Sequence, residues 1–219
     1  MTKVYLVRHC EAYGNKARIF QGTSDCEITE TGARQLTFLA ERFKSVAINA
    51  VYSSPLIRAK KTAEAINRYH NAPLIIEPGL IEINGGEIEG ISWVDFPKTK
   101  PVLEYNWNVE PHRFAPKGGE AMTAVFKRAA ETLHRLVQQN QNKTIVLASH
   151  GCVIRNIMCH EMGLPIERLN EVKWADNTGV FYLEYGSSPL PEIKLFNDYS
   201  HLPADCLPNA HRIGHVEVK

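Results

Sequence analysis

Short apolar runs alternate along this chain with longer stretches in which apolar residues recur every three or four positions. Runs at 3–7, 48–52, 73–77, 144–148, 179–184 and 193–196 predict strands, bounded by turn or breaker residues such as Ser53-Ser54-Pro55, Pro78-Gly79 and Gly186. Leu36, Leu39, Ala40 and Phe43 share one helical face, as do Met122, Val125, Ala129, Leu133 and Leu136, leaving Lys127, Arg128, Glu131 and Arg135 for solvent. A third helix is expected to open at Pro55 with Ser53 or Ser54 as its cap, which puts Arg58 in the first turn. Strands separated by helices predict an α/β fold with a mostly parallel sheet covered on both faces. The close spacing of the last two strands predicts an antiparallel element near one edge.

Two segments depart from this rhythm. Between 91 and 117, Trp93, Phe96, Trp107 and Phe114 are interleaved with Pro97, Pro101, Pro111 and Pro116, which predicts a long excursion over one rim, either a lid or an aromatic-pinned insertion. After Tyr185 come Pro189, Pro191, Pro203 and Pro208, so an irregular tail is expected from about residue 198. No internal repeat or low-complexity tract divides the rest, and residues 1–219 are expected to form a single domain with a core of its own.

Composition narrows the chemistry. Twenty-five Lys and Arg against 24 Asp and Glu give a net charge of +1 without a long basic run, which argues against a broad nucleic-acid footprint; a bound anion must be met locally. No stretch approaches the roughly 18 apolar residues of a membrane span, and the first apolar run is too short for a secretion signal. Five cysteines, Cys10, Cys26, Cys152, Cys159 and Cys206, are odd in number and lack a CxxC pair, so reduced thiols and a cytoplasmic location are expected.

Two strand ends carry the candidate chemistry. The first strand ends in Arg8-His9 and the fourth in Ser149-His150-Gly151; in open α/β sheets ligands bind in the crevice beyond the carboxyl ends of the strands. Arg58 at a helix start can join them there. Two arginines and a second imidazole around His9 make an electropositive hole suited to a phosphoryl group, because the guanidinium fork matches phosphate oxygens. Neighbouring cations also disfavour imidazolium, keeping a lone pair on His9 for attack. The segment 78–90 supplies Glu82, Glu87 and Glu89. Glu82 lies nearest the strand end and is the candidate proton donor to a leaving group, since a bound phosphate dianion would raise its pKa; Glu87 and Glu89 fit a solvated acidic turn better. With arginines and imidazole to stabilise the equatorial oxygens, no metal and no cofactor is required.

Motifs in order along the chain extend this reading. Arg8 to Asn15 follows R-H-G-x-T-x-x-N, and Gln21 to Asp25 with Thr29 and Gly32 echoes Q-G-x-x-D-x-x-L-T-x-x-G. Ser53 to Glu64 matches S-S-P-L-x-R-A-x-x-T-A-E, Leu80 to Gly90 follows L-x-E-I-x-x-G-x-W-E-G, and Gly118-Gly119-Glu120 and Ser149 to Arg155 complete the series. On these residues the chain resembles the histidine phosphatase superfamily, in its phosphoglycerate mutase-like branch, from residue 4 to about 180. The resemblance implies a three-layer α/β/α sandwich around a mixed six-stranded sheet. It implies His9 as the residue phosphorylated, Arg8, Arg58 and His150 as the phosphate pocket, Glu82 as proton donor, and Asn15 and Gln21 as lesser contacts to phosphate or substrate.

The chain departs from the family pattern at Cys10, which replaces a glycine, makes a positive φ less comfortable and sets a thiol beside the site as an expected point of oxidative sensitivity. Ala12 lacks the family hydroxyl, and Gly85 and Ile88 stand where an aromatic pair is common. A cysteine phosphatase loop, H-C-x5-R, is spoiled because Lys16 follows Cys10 at the spacing where arginine is needed, and arginine arrives only at Arg18. His150, Cys152, Cys159 and His160 show no tetrahedral metal spacing, and Cys152 and Cys159 are expected to share a helix face. Since only 91–117 separates Gly90 from Gly118, shorter than the corresponding mutase segment, the expected activity is hydrolysis of a small phosphorylated metabolite. Mutase-type phosphoryl transfer and a non-catalytic phospho-ligand scaffold are the alternatives. His112, Arg113 and Lys117 are candidates either for a second anionic group or for plain solvation.

Overall fold

The computed structural model describes residues 1–207. In chain order it comprises β1 (Thr2–Arg8), α1 (Tyr13–Ala17), α2 (Glu30–Phe43), β2 (Ala50–Ser53), α3 (Ile57–Asn67), β3 (Leu74–Ile76), α4 (Phe96–Thr99), α5 (Pro101–Asn108), α6 (Met122–Gln139), β4 (Thr144–Ser149), α7 (Gly151–Glu161), β5 (Val180–Tyr185) and β6 (Glu192–Asp198). The six strands, all at predicted positions, form one sheet in the order β3-β2-β4-β1-β5-β6. The first four in that order run parallel; β5 is antiparallel to β1, and β6 to β5.

Strand alternation divides the sheet's side chains between two cores. Val4, Leu6, Ile145, Leu147, Phe181 and Leu183 meet Val125 and Leu133 of α6 and Ile154 and Ile157 of α7. Val7, Val51, Val146, Ala148 and Val180 point the other way, onto Leu39 and Phe43 of α2 and Ala63 and Ile66 of α3. The central strands are buried on both faces and therefore read as continuous apolar runs, and the result is an α/β/α sandwich. On α7, Cys152 and Cys159 are both buried.

The start of α3 differs from expectation. Its first helical residue is Ile57, the capping position is Leu56, and no serine side chain caps it. Instead the carboxylate of Asp25 accepts the Ile57 N–H at 2.9 and 3.1 Å, while the Ser54 hydroxyl lies 2.6 Å from His150 Nε2. A serine engaged with an imidazole leaves the cap to another segment.

The 91–117 stretch is more ordered than a rim excursion. Pro97, Pro101 and Pro111 each stand in the first turn of a short helical element, where a missing N–H costs nothing. Phe96, Trp107 and Phe114 are buried in the same core as α6 and α7. The tail also packs as far as it is described: Leu202 and Cys206 are buried, Gln35 Nε2 donates to the Cys206 carbonyl at 3.0 Å, and Arg34 pairs with Asp205 at 2.6 Å. The rest of the expected irregular tail, from Pro208 onward, lies outside the described residues.

Phe114 is fully buried with its ring 4.9 Å from that of Trp107. Phe114→Ala is therefore expected to destabilise the protein by about 3–5 kcal/mol, the usual cost of emptying an aromatic core position, measured by urea unfolding. A loss below about 1 kcal/mol, the range of ordinary surface substitutions, would mean that the segment is only a surface flap.

Candidate active site

Three adjacent parallel strands end at one level. Arg8 is in register with Ser149 and Ser53 with Ala148, so β1, β4 and β2 deliver His9, His150 and Ser54 side by side. Backbone bonds continue the ladder past the strand ends, from His9 N–H to the Ser149 carbonyl at 2.9 Å and from Ser54 N–H to Ala148 at 3.0 Å. The rings of His9 and His150 lie 5.1 Å apart, both buried.

The hydrogen bonds of His9 set its tautomer. Its Nδ1 is 2.7 Å from the Cys10 carbonyl, an acceptor only, so the N–H is on Nδ1 and the lone pair on Nε2. Burial, then the charges of Arg58 and Arg8, hold this imidazole well below its ordinary pKa; burial and Arg58 do the same to His150. A neutral His9 of this tautomer carries its lone pair on Nε2, the form that a nucleophilic role would need.

Both guanidinium groups are buried and are only partly satisfied by protein. Arg58 donates through Nη1 to the Ser24 carbonyl at 3.0 Å and through Nη2 to Gly22 at 2.8 Å, and Arg8 Nη1 donates to the Ala175 carbonyl at 2.5 Å. Among the described residues, six buried polar side-chain atoms lack a hydrogen-bond partner, and four of them gather here: Arg8 Nε, Arg58 Nε, His150 Nδ1 and Gln21 Oε1. The Gln21 oxygen is an acceptor, but the two arginine Nε–H groups and the His150 nitrogen can donate, and unmet donors concentrated at one place mark a site completed by a ligand, here an anion.

Glu82 is the carboxylate brought to this cluster. Its Oε2 accepts from Cys152 N–H at 3.1 Å and its Oε1 from Val153 N–H at 3.2 Å and Ile83 N–H at 3.0 Å, which ties it to the amino end of α7. Burial raises its pKa, against the backbone donors and the two arginines that favour the charged form. A carboxyl poised between those forces can hold or release a proton near the reacting group.

Arg8, His9, Glu82, Asn15 and Gln21 line one cavity of about 670 Å³; Arg58 and His150 are buried beside it. Asn15 Oδ1 accepts the Ala12 N–H at 3.0 Å, so only its amide N–H groups can address a ligand, and Gln21 Nε2 donates to Cys26 Sγ at 2.8 Å. With alanine at position 12, α1 has no side-chain cap there. Phe20, Trp93, Trp107 and Trp174 form an aromatic wall of the cavity, to which neither Gly85 nor Ile88 contributes.

Sequence reasoning missed several contributors. Lys173 and Asp176 line the cavity, and Asn177 Nδ2 donates to the His9 carbonyl at 3.0 Å; they belong to a loop before β5 with no recognisable motif. His112, Arg113 and Lys117 are absent from the lining, and Arg113 pairs with Glu110 instead. Glu89 is no solvated turn residue: it accepts from the amides of Gly22, Thr23, Ser24 and Gly85 and thereby shapes the loop that holds Arg58. Glu87 forms an ion pair with Lys100. Cys10 is fully buried, lies outside the positive-φ region and has its thiol pushed up to about 12 by burial, so it is neither strained nor a reactive thiolate.

Comparison with known proteins agrees with this geometry. Residues 4–199 match the model of the histidine phosphatase superfamily (branch 1). Phosphoserine phosphatase 1 of Hydrogenobacter thermophilus is 31% identical over 168 residues, covering 77% of this chain and 80% of that protein. A probable phosphoglycerate mutase GpmB of Cronobacter sakazakii is 30% identical over 220 residues, covering 97% and 100%. The structure of Bacillus stearothermophilus YhfR superposes with a TM-score of 0.86 at 29% identity, covering 92% of this chain and 99% of YhfR. The chain belongs to the histidine phosphatase superfamily.

Proposed function

We propose that this chain acts as a single domain that hydrolyses phosphomonoesters of small metabolites through a phosphohistidine. The observation that carries the reading is a His9 whose Nδ1 is held by the Cys10 carbonyl, which leaves the lone pair on Nε2, beside buried nitrogens of Arg8, Arg58 and His150 that lack partners. In the first half-reaction Nε2 attacks phosphorus in line, the P–O bond to the alcohol breaks, and Glu82 gives its proton to the leaving oxygen. Arg8, Arg58 and His150 hold the equatorial oxygens, supplying the positive charge that many phosphoryl-transfer sites draw from a metal. In the second, Glu82 takes a proton from water as it attacks the phosphohistidine, and phosphate leaves. Asn15 and Gln21 act as lesser contacts.

The likeness to phosphoserine phosphatase and to a phosphoglycerate mutase supports a small substrate carrying its own carboxylate, for which Lys173 in the cavity lining offers a counter-charge. Five free thiols, four of them buried, suit a reducing cytoplasm. Among the described residues no helix is long and apolar enough to cross a membrane.

The near full-length match to a mutase keeps phosphoryl transfer as the second reading. Following phosphoserine and 3-phosphoglycerate by phosphorus NMR separates the two. Hydrolysis predicts inorganic phosphate without an isomerised phosphoglycerate, and His9→Ala lowers the rate roughly a thousandfold or more in a folded protein. Isomer accumulating ahead of phosphate would make the chain a mutase, and undetectable turnover on varied phosphoesters would favour a binding scaffold.

The site also predicts the pH dependence. His9 must be neutral and its pKa lies well below 6.5, so kcat/KM falls on the acid side only below that value; Glu82 must be protonated and is raised above 4.5, so activity declines again as pH rises through its pKa. Bound phosphate dianion repels the Glu82 charge further, so the alkaline limb of kcat lies higher than that of kcat/KM. Glu82→Gln is expected to cost about 10²–10⁴-fold with alkyl phosphates, far less with an aryl phosphate, and to erase the alkaline limb. Equal losses on both substrates with an unchanged profile would remove Glu82 from the proton-transfer role.

A further inference from the structure

A second cluster of ligating side chains lies where α6 packs on α7. His134 Nε2 is 2.9 Å and His160 Nδ1 3.0 Å from the same oxygen, Oε1 of Glu161. The three candidate ligand atoms all lie within 4.8 Å of one another. The Glu161 side chain is 1% exposed, whereas those of His134 and His160 are 47% and 33% exposed, so the cluster is closed beneath and open to solvent above. None of the three lines the phosphate cavity.

We propose that His134, His160 and Glu161 bind a divalent transition metal of the zinc type. Two imidazole nitrogens and one carboxylate oxygen converging from two helices are a three-ligand set of that class, with a fourth position left for water. One ion on that set would serve two imidazoles that now compete for a single oxygen. The other carboxylate oxygen, Oε2, accepts the Tyr185 hydroxyl at 2.9 Å, which orients the ligand from behind as outer hydrogen bonds do in metal sites. Among the described residues the ion-pair partners of Glu161 are these two histidines alone, so no lysine or arginine competes with a cation there. His160 and Glu161 also end α7, where the helix carbonyls favour positive charge.

The ion would be structural. The amino end of α7 holds Glu82 through the Cys152 amide, and the nine steps from Cys152 to Glu161 at about 1.5 Å each place the cluster roughly 14 Å along the same helix. A metal there would clamp α6 to α7 and, by binding the folded chain only, raise its stability by mass action.

The test uses tag-free, chelator-stripped full-length protein with ZnCl2 followed by calorimetry and thermal unfolding, and CoCl2 followed by visible absorption. One equivalent of zinc, a raised unfolding midpoint and a d–d band of cobalt bound to nitrogen and oxygen ligands are expected. His134→Ala, at an exposed helix position where alanine preserves folding, should weaken zinc by more than about tenfold and remove the band and the midpoint shift, leaving phosphatase turnover unchanged. His160→Ala should do the same, while Cys26→Ser should leave the zinc affinity and the cobalt band unchanged. Absence of a zinc equivalent on the wild-type protein, or unchanged zinc affinity in folded His134→Ala, would overturn the proposal.

Discussion

Positive charge taken out of water is the constraint around which this structure is arranged. Arg8 and Arg58 are buried within electrostatic reach of two buried imidazoles and of the buried carboxylate of Glu82. Burying a charge is costly unless it is paired, and here the deficit is distributed rather than cancelled. Carbonyls of Gly22, Ser24 and Ala175 take part of the guanidinium hydrogen bonding, both imidazoles are held neutral, and Glu82 is pulled between burial and the arginines. In the proposed mechanism a phosphoryl dianion would meet the remaining need, and the same neutrality would leave His9 nucleophilic.

The scaffold makes such a cluster possible. Three adjacent parallel strands ending at nearly one level place His9 beside His150 with Ser54 one residue back, and the start of α7 brings its amides to Glu82. Behind them stands a layer of residues that do not line the cavity. Asp25 caps α3 and lies 3.7 Å from Arg58, Glu89 ties down the loop whose carbonyls receive that arginine, and Arg155 donates to the Val172 carbonyl while stacking over Trp174. Each fixes a reactive group by holding the loop around it, so the precision of the site depends on segments far apart in the chain.

Much of this was legible in the residues. Six apolar runs gave six strands, because the central strands are buried on both faces, and the long amphipathic periods of α2 and α6 showed which sides face the sheet. Arg8, His9, Arg58, Glu82 and His150 could be grouped because a parallel sheet brings its carboxyl ends together. What escaped was decided by pairing between remote segments. Asp25, not Ser53 or Ser54, caps α3; the prolines of 91–117 start helices too short to show a period; and Lys173 and Asp176 sit in a loop whose local sequence says nothing of the cavity it borders. Cys10 was misjudged for a related reason, since burial and thiol reactivity are set by what packs around a residue rather than by its neighbours in sequence.

The central claim, that His9 carries the phosphoryl group during turnover, is tested most directly by rapid quenching into alkali followed by peptide mapping. The account predicts an acid-labile, alkali-stable phosphoryl group on the peptide containing His9, appearing within the first turnover and decaying as phosphate is released. A phosphoryl group on Cys10 or on another residue, or turnover without any phosphorylated protein, would contradict it.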